Sequence, residues 1–193
     1  MSHDTPTPQF TRTLPTAADT AQLGRALAHA CREYASAVTE HGLQVNLCGD
    51  LGVGKTALVR GSLRAFGVSG PIRSPTFAVL EPYVVTLHQP PAAGRDGLEA
   101  QPISSLDFYH FDFYRFADPA EFSSAGFREQ FGPGRICAIE WPEKAGDRLP
   151  RADLTITLQV QGDGRTATLE AASTLGHACL ESALKEFDST AAD

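Results

Sequence analysis

The sequence is short of lysine. Of 16 basic side chains only Lys55, Lys144 and Lys185 are lysines, and against 23 acidic residues they leave a formal charge of −7. A protein that chiefly grips a phosphate backbone needs the opposite balance, so direct nucleic-acid binding is disfavoured. No basic cluster offers a footprint for anionic lipid either. Long apolar runs are missing too: none approaches the ~20 residues that cross a bilayer. The opening MSHDTPTPQFTRTLPTAADT also lacks the apolar segment of a secretory leader, so a cytoplasmic protein with no membrane contact is expected. The four cysteines, Cys31, Cys48, Cys137 and Cys179, lie far apart with no CxxC and no Cys/His ligand spacing. That argues against a disulfide framework or a zinc knuckle and for small buried thiols.

What is present is enough for a packed core. The chain has 193 residues, 42% of them hydrophobic and 20% charged, which suits a single globular domain. After a polar lead to about residue 13, Leu23, Leu27, Ala30, Cys31 and Tyr34 recur at helical spacing, and Thr16 with Asp19 forms a capping-box pattern that starts a helix near residue 17. LQVNLC (43–48) reads as a strand and ALVRGSLRAF (57–66) as a helix stopped by Gly67. A strand is expected from Phe77 to Leu87. HQPPAAGRDGLEAQP (88–102) has the composition of an inserted surface loop.

The aromatic run SLDFYHFDFYRF predicts a further strand, and Asp118, Pro119 and Glu121 predict a helix start. RICAIE (135–140) is a compact apolar strand ending in a carboxylate. ADLTITLQV and RTATLEA flank QGDG as a hairpin, and a last amphipathic helix covers about 174–187. Strands alternating with helices up to residue 140 predict a three-layer α/β sandwich: a mainly parallel sheet, extended by an antiparallel C-terminal hairpin.

Chemistry concentrates in Gly49-Asp50-Leu51-Gly52-Val53-Gly54-Lys55-Thr56, a full GxxxxGK[ST] match between a strand and a helix. Glycines there let successive amides turn inward at a helix N-terminus, which makes a cradle for phosphates. The Lys55 ammonium is suited to the β- and γ-phosphates of ATP and the Thr56 hydroxyl to Mg²⁺. Phosphoryl transfer also asks for a carboxylate at the carboxyl end of a neighbouring strand, and both Glu140 and Asp112 qualify. In Ser74-Pro75-Thr76, Thr76 is a candidate γ-phosphate sensor, with a Ser-Pro turn start as the competing explanation. His110, inside an aromatic strand, reads as a hydrogen-bonded packing residue. Trp141, the one tryptophan, reads as local packing or a partner-surface anchor.

Taken in order, GDLGVGKT, SPTF, LEPY, YHFDFYRF with ADPAEF, IEWPEK and Leu149-Pro150 resemble the bacterial TsaE family of tRNA threonylcarbamoyladenosine biosynthesis ATPases, over about residues 14–180. The resemblance implies a P-loop NTPase-like fold in one domain over 14–187, with 1–13 as a lead, 88–102 as an insertion longer than the family's usual turn, and 188–193 as a tail. It implies a weak ATPase that works with the TsaB–TsaD pair and meets tRNA only through that complex. By position, Gly49 and Leu51 to Thr56 would hold ATP, Thr56 with Glu140 would coordinate Mg²⁺, Thr76 would be the switch residue and Asp112 the essential acid. Arg165 would contact nucleotide, and Ala17 to Thr20 would border the adenine.

Two other enzyme classes share the P-loop. A small-metabolite kinase normally closes an arginine-rich lid, and the insertion carries a single Arg. A GTPase is disfavoured because no Asp is followed three residues later by Gly and no N/T-K-x-D reads a base. A nucleotide-gated interaction module that hydrolyses nothing would have no need of Asp112 and Glu140.

Overall fold

A computed structural model describes residues 9–88 and 102–190. The lead before residue 9, most of the inserted loop and the last three residues of the tail lie outside the described residues. In chain order the elements are β1 (Gln9–Leu14), α1 (Ala17–Glu33), α2 (Ala35–His41), β2 (Leu43–Cys48), α3 (Lys55–Ala65), β3 (Leu80–His88), β4 (Pro102–Asp112), α4 (Ala120–Ser124), β5 (Arg135–Glu140), β6 (Leu154–Gln161), β7 (Gly164–Ala171) and α5 (Thr174–Thr190), with short helical turns at Phe127–Gln130, Pro142–Lys144 and Gly146–Arg148.

Local signals set most of the element starts. The Thr16 hydroxyl accepts from the amides of Ala18 (3.1 Å) and Asp19 (3.3 Å), and Asp19 accepts from the Thr16 amide at 2.7 Å, so the capping box that begins α1 is complete. Before α4, Asp118 accepts from the Ala120 amide (2.8 Å) and Glu121 from the Asp118 amide (3.0 Å). The β6–β7 hairpin turns at Gly162, whose φ of 59° suits a residue without Cβ.

Among the described residues seven strands form one mixed sheet of an α/β fold, in the order β1-β7-β6-β2-β5-β4-β3. Its centre is parallel, with β2 paired to β5 and β6 and β4 paired to β5, while β1–β7, β6–β7 and β3–β4 are antiparallel. The expected parallel character therefore holds at the centre, and both edges are antiparallel. At one edge β3 doubles back on β4. At the other, residues 9–14, which polar composition assigns largely to a lead, form β1 along β7. Outward Gln9, Thr11 and Thr13 disguise that strand, and Arg12 ties it to α5 through a two-pronged contact with Asp188 at 2.7 Å. β3 begins at Leu80, three residues later than expected, because 75–79 are spent in a turn.

One face of the sheet packs against α1, α3 and α5 around Leu23, Leu27, Leu47, Leu58, Ile156 and Leu180. α1 and α3 touch backbone to backbone. A Cβ on Gly24 would lie 2.0 Å from the Leu58 carbonyl oxygen, and one on Gly61 would lie 2.1 Å from that of Ala21. Two glycines thus fix α3, and with it the loop at its N-terminus, against the first helix. The opposite face over β4 and β5 carries a second core of Phe111, Phe113, Phe116, Phe122, Cys137 and Ile139, capped by α4 and the helical turns. Phe111 stacks on Phe131 at 5.6 Å and Phe113 on Phe116 at 4.7 Å. Cys31, Cys137 and Cys179 are buried and Cys48 is half-buried, and burial pushes the Cys137 and Cys179 thiols up to about 12.

Candidate functional site

Three of the four parallel central strands, β2, β5 and β4, end side by side. Pairing sets Glu140, the last residue of β5, level with Leu47 on β2 and with Asp112 at the end of β4. The loop from β2 to α3 lies over these ends, and together they wall a cleft of about 340 Å³. That volume falls in the range of small-molecule sites, and its position, outside the carboxyl ends of parallel strands, is where open α/β sheets bind ligands.

The loop has the backbone its sequence requires. Gly49, Gly52 and Gly54 have φ of 125°, 78° and 121°, conformations that L side chains avoid. At Gly49 the constraint is doubled, since a Cβ would stand 2.2 Å from the Leu158 carbonyl oxygen. Val53 is buried beneath the loop, whereas Leu51 at its tip is 70% exposed. Lys55 opens α3 and is almost wholly buried; its Nζ donates to the carbonyl oxygens of Gly49 and Asp50 and sits 4.0 Å from the centre of the Trp141 ring. Burial pushes the Lys55 ammonium below its usual range, against the opposing pull of Glu140, Asp112, Glu143 and Asp50.

Two carboxylates complete the cleft, each with a distinct set of partners. The Thr56 hydroxyl donates to Glu140 Oε1 at 2.8 Å, and the same oxygen lies 2.9 Å from His110 Nε2. Asp112 accepts from the Tyr114 amide on Oδ1 at 3.0 Å, and on Oδ2 from the Thr76 hydroxyl at 2.8 Å and from the Ser74 hydroxyl. Both acids are buried. The segment bearing Ser74 and Thr76 closes on itself through a 2.6 Å bond from the Val79 amide to the Pro75 carbonyl, and the Asp112 amide donates to the Val79 carbonyl. Val79 holds φ of 66°, a costly conformation for a β-branched residue.

The cleft lining brings together Leu51, Gly52, Gly54, Lys55, Thr56, Thr76, Asp112 and Glu140 from among the residues singled out in the sequence. Ala17, Thr20 and Arg165 do not line it. Thr20 is fully buried behind the loop, and Arg165 donates to the Val53 carbonyl at 2.7 Å. A Cβ on Gly54 would meet both, Thr20 at 3.3 Å and Arg165 at 3.4 Å, so these two support the loop from its far side. The lining also includes Ser74, Arg60 and Trp141. Ser74 sits in a motif read for its threonine, and nothing local marks its tie to an acid 38 residues on.

Comparison with known proteins places this geometry. The family described as threonylcarbamoyl adenosine biosynthesis protein TsaE matches residues 14–167. The chain belongs to the TsaE family. It is 39% identical over 138 residues to the TsaE of Haemophilus influenzae, covering 72% of this chain and 76% of that one. To the Bacillus subtilis TsaE it is 30% identical over 134 residues, or 69% and 72% of the two chains. To a Mycobacterium tuberculosis TsaE it is 31% identical over 166 residues, or 82% and 84%. The fold is also that of the crystal structure of Bacillus subtilis YdiB, with a TM-score of 0.62 and 22% identity over 95% of this chain and 98% of that one. TsaE membership places the chain in tRNA threonylcarbamoyladenosine biosynthesis, a tRNA modification, on a P-loop ATPase-like fold. Among the described residues no helix is long and apolar enough to cross a membrane.

Proposed function

We propose that this chain binds Mg-ATP in the cleft and hydrolyses it to support turnover of the TsaB–TsaD pair, meeting tRNA only through that complex. The observation that carries the reading is the Thr56–Glu140 contact at 2.8 Å, beneath a glycine loop with positive φ and beside a buried lysine. A hydroxyl and a carboxylate are the hard oxygen donors Mg²⁺ takes, and Mg²⁺ fills its remaining positions with phosphate oxygens and water. Among the described residues no group of three or more His, Cys, Asp or Glu forms a metal cage, so the donor set fits a cation that arrives with its nucleotide. Bound there, Mg²⁺ would offset charge on the β- and γ-phosphates.

The chain's own groups divide the remaining work. The amides from Gly52 to Thr56 at the start of α3 face the anion, and Lys55 exchanges carbonyl partners for phosphate oxygens, regaining the charge stabilisation that burial denies it. Asp112 holds the attacking water, with Ser74 and Thr76 setting its orientation. Asp112 Oδ2 accepts from both Ser74 and Thr76, whereas Oδ1 accepts only from the Tyr114 amide and keeps a lone pair for that water. A partner that moves the 74–79 turn would change how Ser74 and Thr76 hold the acid, and stimulation of hydrolysis by that route is the expectation.

The test is Mg²⁺-dependent hydrolysis by the purified protein, alone and with a TsaB–TsaD pair from the same source, with GTP and Lys55→Ala as controls. Stimulation by the pair that is selective for ATP and lost in the variant is the expected result. Tight ATP binding without stimulation would leave a nucleotide-gated module, and ADP release that depends on a small acceptor would mark a kinase.

A further inference from the structure

We propose that His110 is a positioning residue for the Glu140 carboxylate and, through it, for the divalent cation at Thr56. The inference rests on the Mg-ATP reading of the cleft. His110 is completely buried on β4, on the same face as Asp112, and its pairing partner across the sheet is Ala138, whose single methyl leaves room for the ring to reach the next outward position, Glu140. There Nε2 lies 2.9 Å from Oε1, while Nδ1 is buried with no hydrogen-bond partner.

A packing role does not account for this arrangement. Buried polar atoms are nearly always paired, and a phenylalanine at this position would fill the space without leaving a nitrogen stranded. The ring's one polar contact goes to a carboxylate that also holds Thr56. An ionised carboxylate only accepts, so Nε2 is the donor in this bond, and the other ring nitrogen is left without a partner.

Two donors converge on Oε1, one from Thr56 at 2.8 Å and one from His110 at 2.9 Å, and neither uses Oε2. With Oε1 held from two directions the carboxylate keeps one orientation at the cleft wall, and Oε2 is left for the cation or its water. The Thr56 proton stays committed to Oε1, which turns the lone pairs of that hydroxyl to the metal. Outer partners of this kind orient metal ligands elsewhere, and their loss typically lowers metal affinity about 10–100-fold.

The experiment titrates Mg²⁺ into the full-length protein with a non-hydrolysable ATP analogue, by calorimetry, and repeats the nucleotide titration in EDTA; thermal unfolding is recorded alongside. His110→Phe is expected to raise the Mg²⁺ half-saturation roughly 10–100-fold and to leave affinity for the metal-free nucleotide unchanged. His110→Gln, whose amide N–H falls near the position of Nε2, should recover most of that loss. His110→Asn, whose amide falls near Nδ1, should not. A wild-type Mg²⁺ response in folded His110→Phe would overturn the proposal, as would an equal loss with and without metal. If His110→Phe fails to fold, the Gln and Asn pair decides: equal Mg²⁺ responses overturn it. Thr56→Val and Glu140→Gln run in the same titration. If those two leave the Mg²⁺ response intact, the Mg-ATP reading itself fails, a result distinct from failure of the His110 assignment.

Discussion

Replacing Lys55 with methionine should move stability and binding in opposite directions. The side chain is 3% exposed, its ammonium rests on two loop carbonyls and the Trp141 ring, and burial holds its pKa below the ordinary 10.5. Methionine keeps the apolar stem and removes a charge that the surroundings hold at a disadvantage. Without nucleotide, the variant should be as stable as the wild type or up to ~1 kcal/mol more stable, about 0–4 °C in midpoint for a chain of this size. Binding should collapse: two charge-assisted hydrogen bonds to phosphate at ~1.5–3 kcal/mol each amount to roughly two to four decades in Kd. The pH dependence has a definite sign. Because the folded-state pKa is lowered, the unfolded chain binds this proton more readily, so wild-type stability rises with pH between the lowered value and 10.5. The methionine variant lacks that contribution, so any advantage it holds near neutrality should shrink as the pH climbs. Thermal unfolding with and without a Mg-ATP analogue, across neutral to alkaline pH, reads all three effects. A midpoint more than ~5 °C below wild type, or retained nucleotide affinity, would refute the reasoning.

Three further outcomes follow from the geometry. Asp112→Asn should slow hydrolysis ~100-fold or more while ATP affinity measured by calorimetry stays close to wild type; equal losses in both would mean the acid holds nucleotide rather than water. Gly49→Ala places a methyl 2.2 Å from the Leu158 carbonyl at a φ of 125°, and should cost ~2–4 kcal/mol in urea unfolding. Phe111→Ala removes the ring that Phe113, Phe127 and Phe131 surround and should cost ~3–5 kcal/mol by the same assay, with the nucleotide cleft unaffected in whatever fraction remains folded.

Which parts of the molecule were legible in the sequence follows from the range of the interactions involved. The capping box joins Thr16 to Asp19, the glycine loop is eight consecutive residues, and Glu140 closes its own apolar strand, so each signal is complete within a few positions. β1 carries no local signal because its inward residues are only Phe10, Arg12 and Leu14, and the partner that makes Arg12 an inward residue is Asp188, 176 positions away. The Ser74–Asp112 and His110–Glu140 contacts span 38 and 30 positions and depend on strand register, which no local pattern encodes. Arg165 presents the reverse case. The family resemblance implies that it contacts nucleotide, whereas the contact seen here is from the guanidinium to the Val53 carbonyl, 112 positions away.

The edge strand β1 has a practical consequence for anyone who trims this protein to its matched segment. Residues 14–167 begin at the last residue of β1, end partway along β7, and omit α5. Such a fragment would expose the Leu154–Thr157 part of β6 that residues 168–171 cover, and would uncover the surface of α1 against which α5 packs. An unpaired strand edge beside a newly bared helix surface is a template for sticking to other chains. The fragment should collect in inclusion bodies, and a chain running from residue 9 to residue 190 should stay in solution.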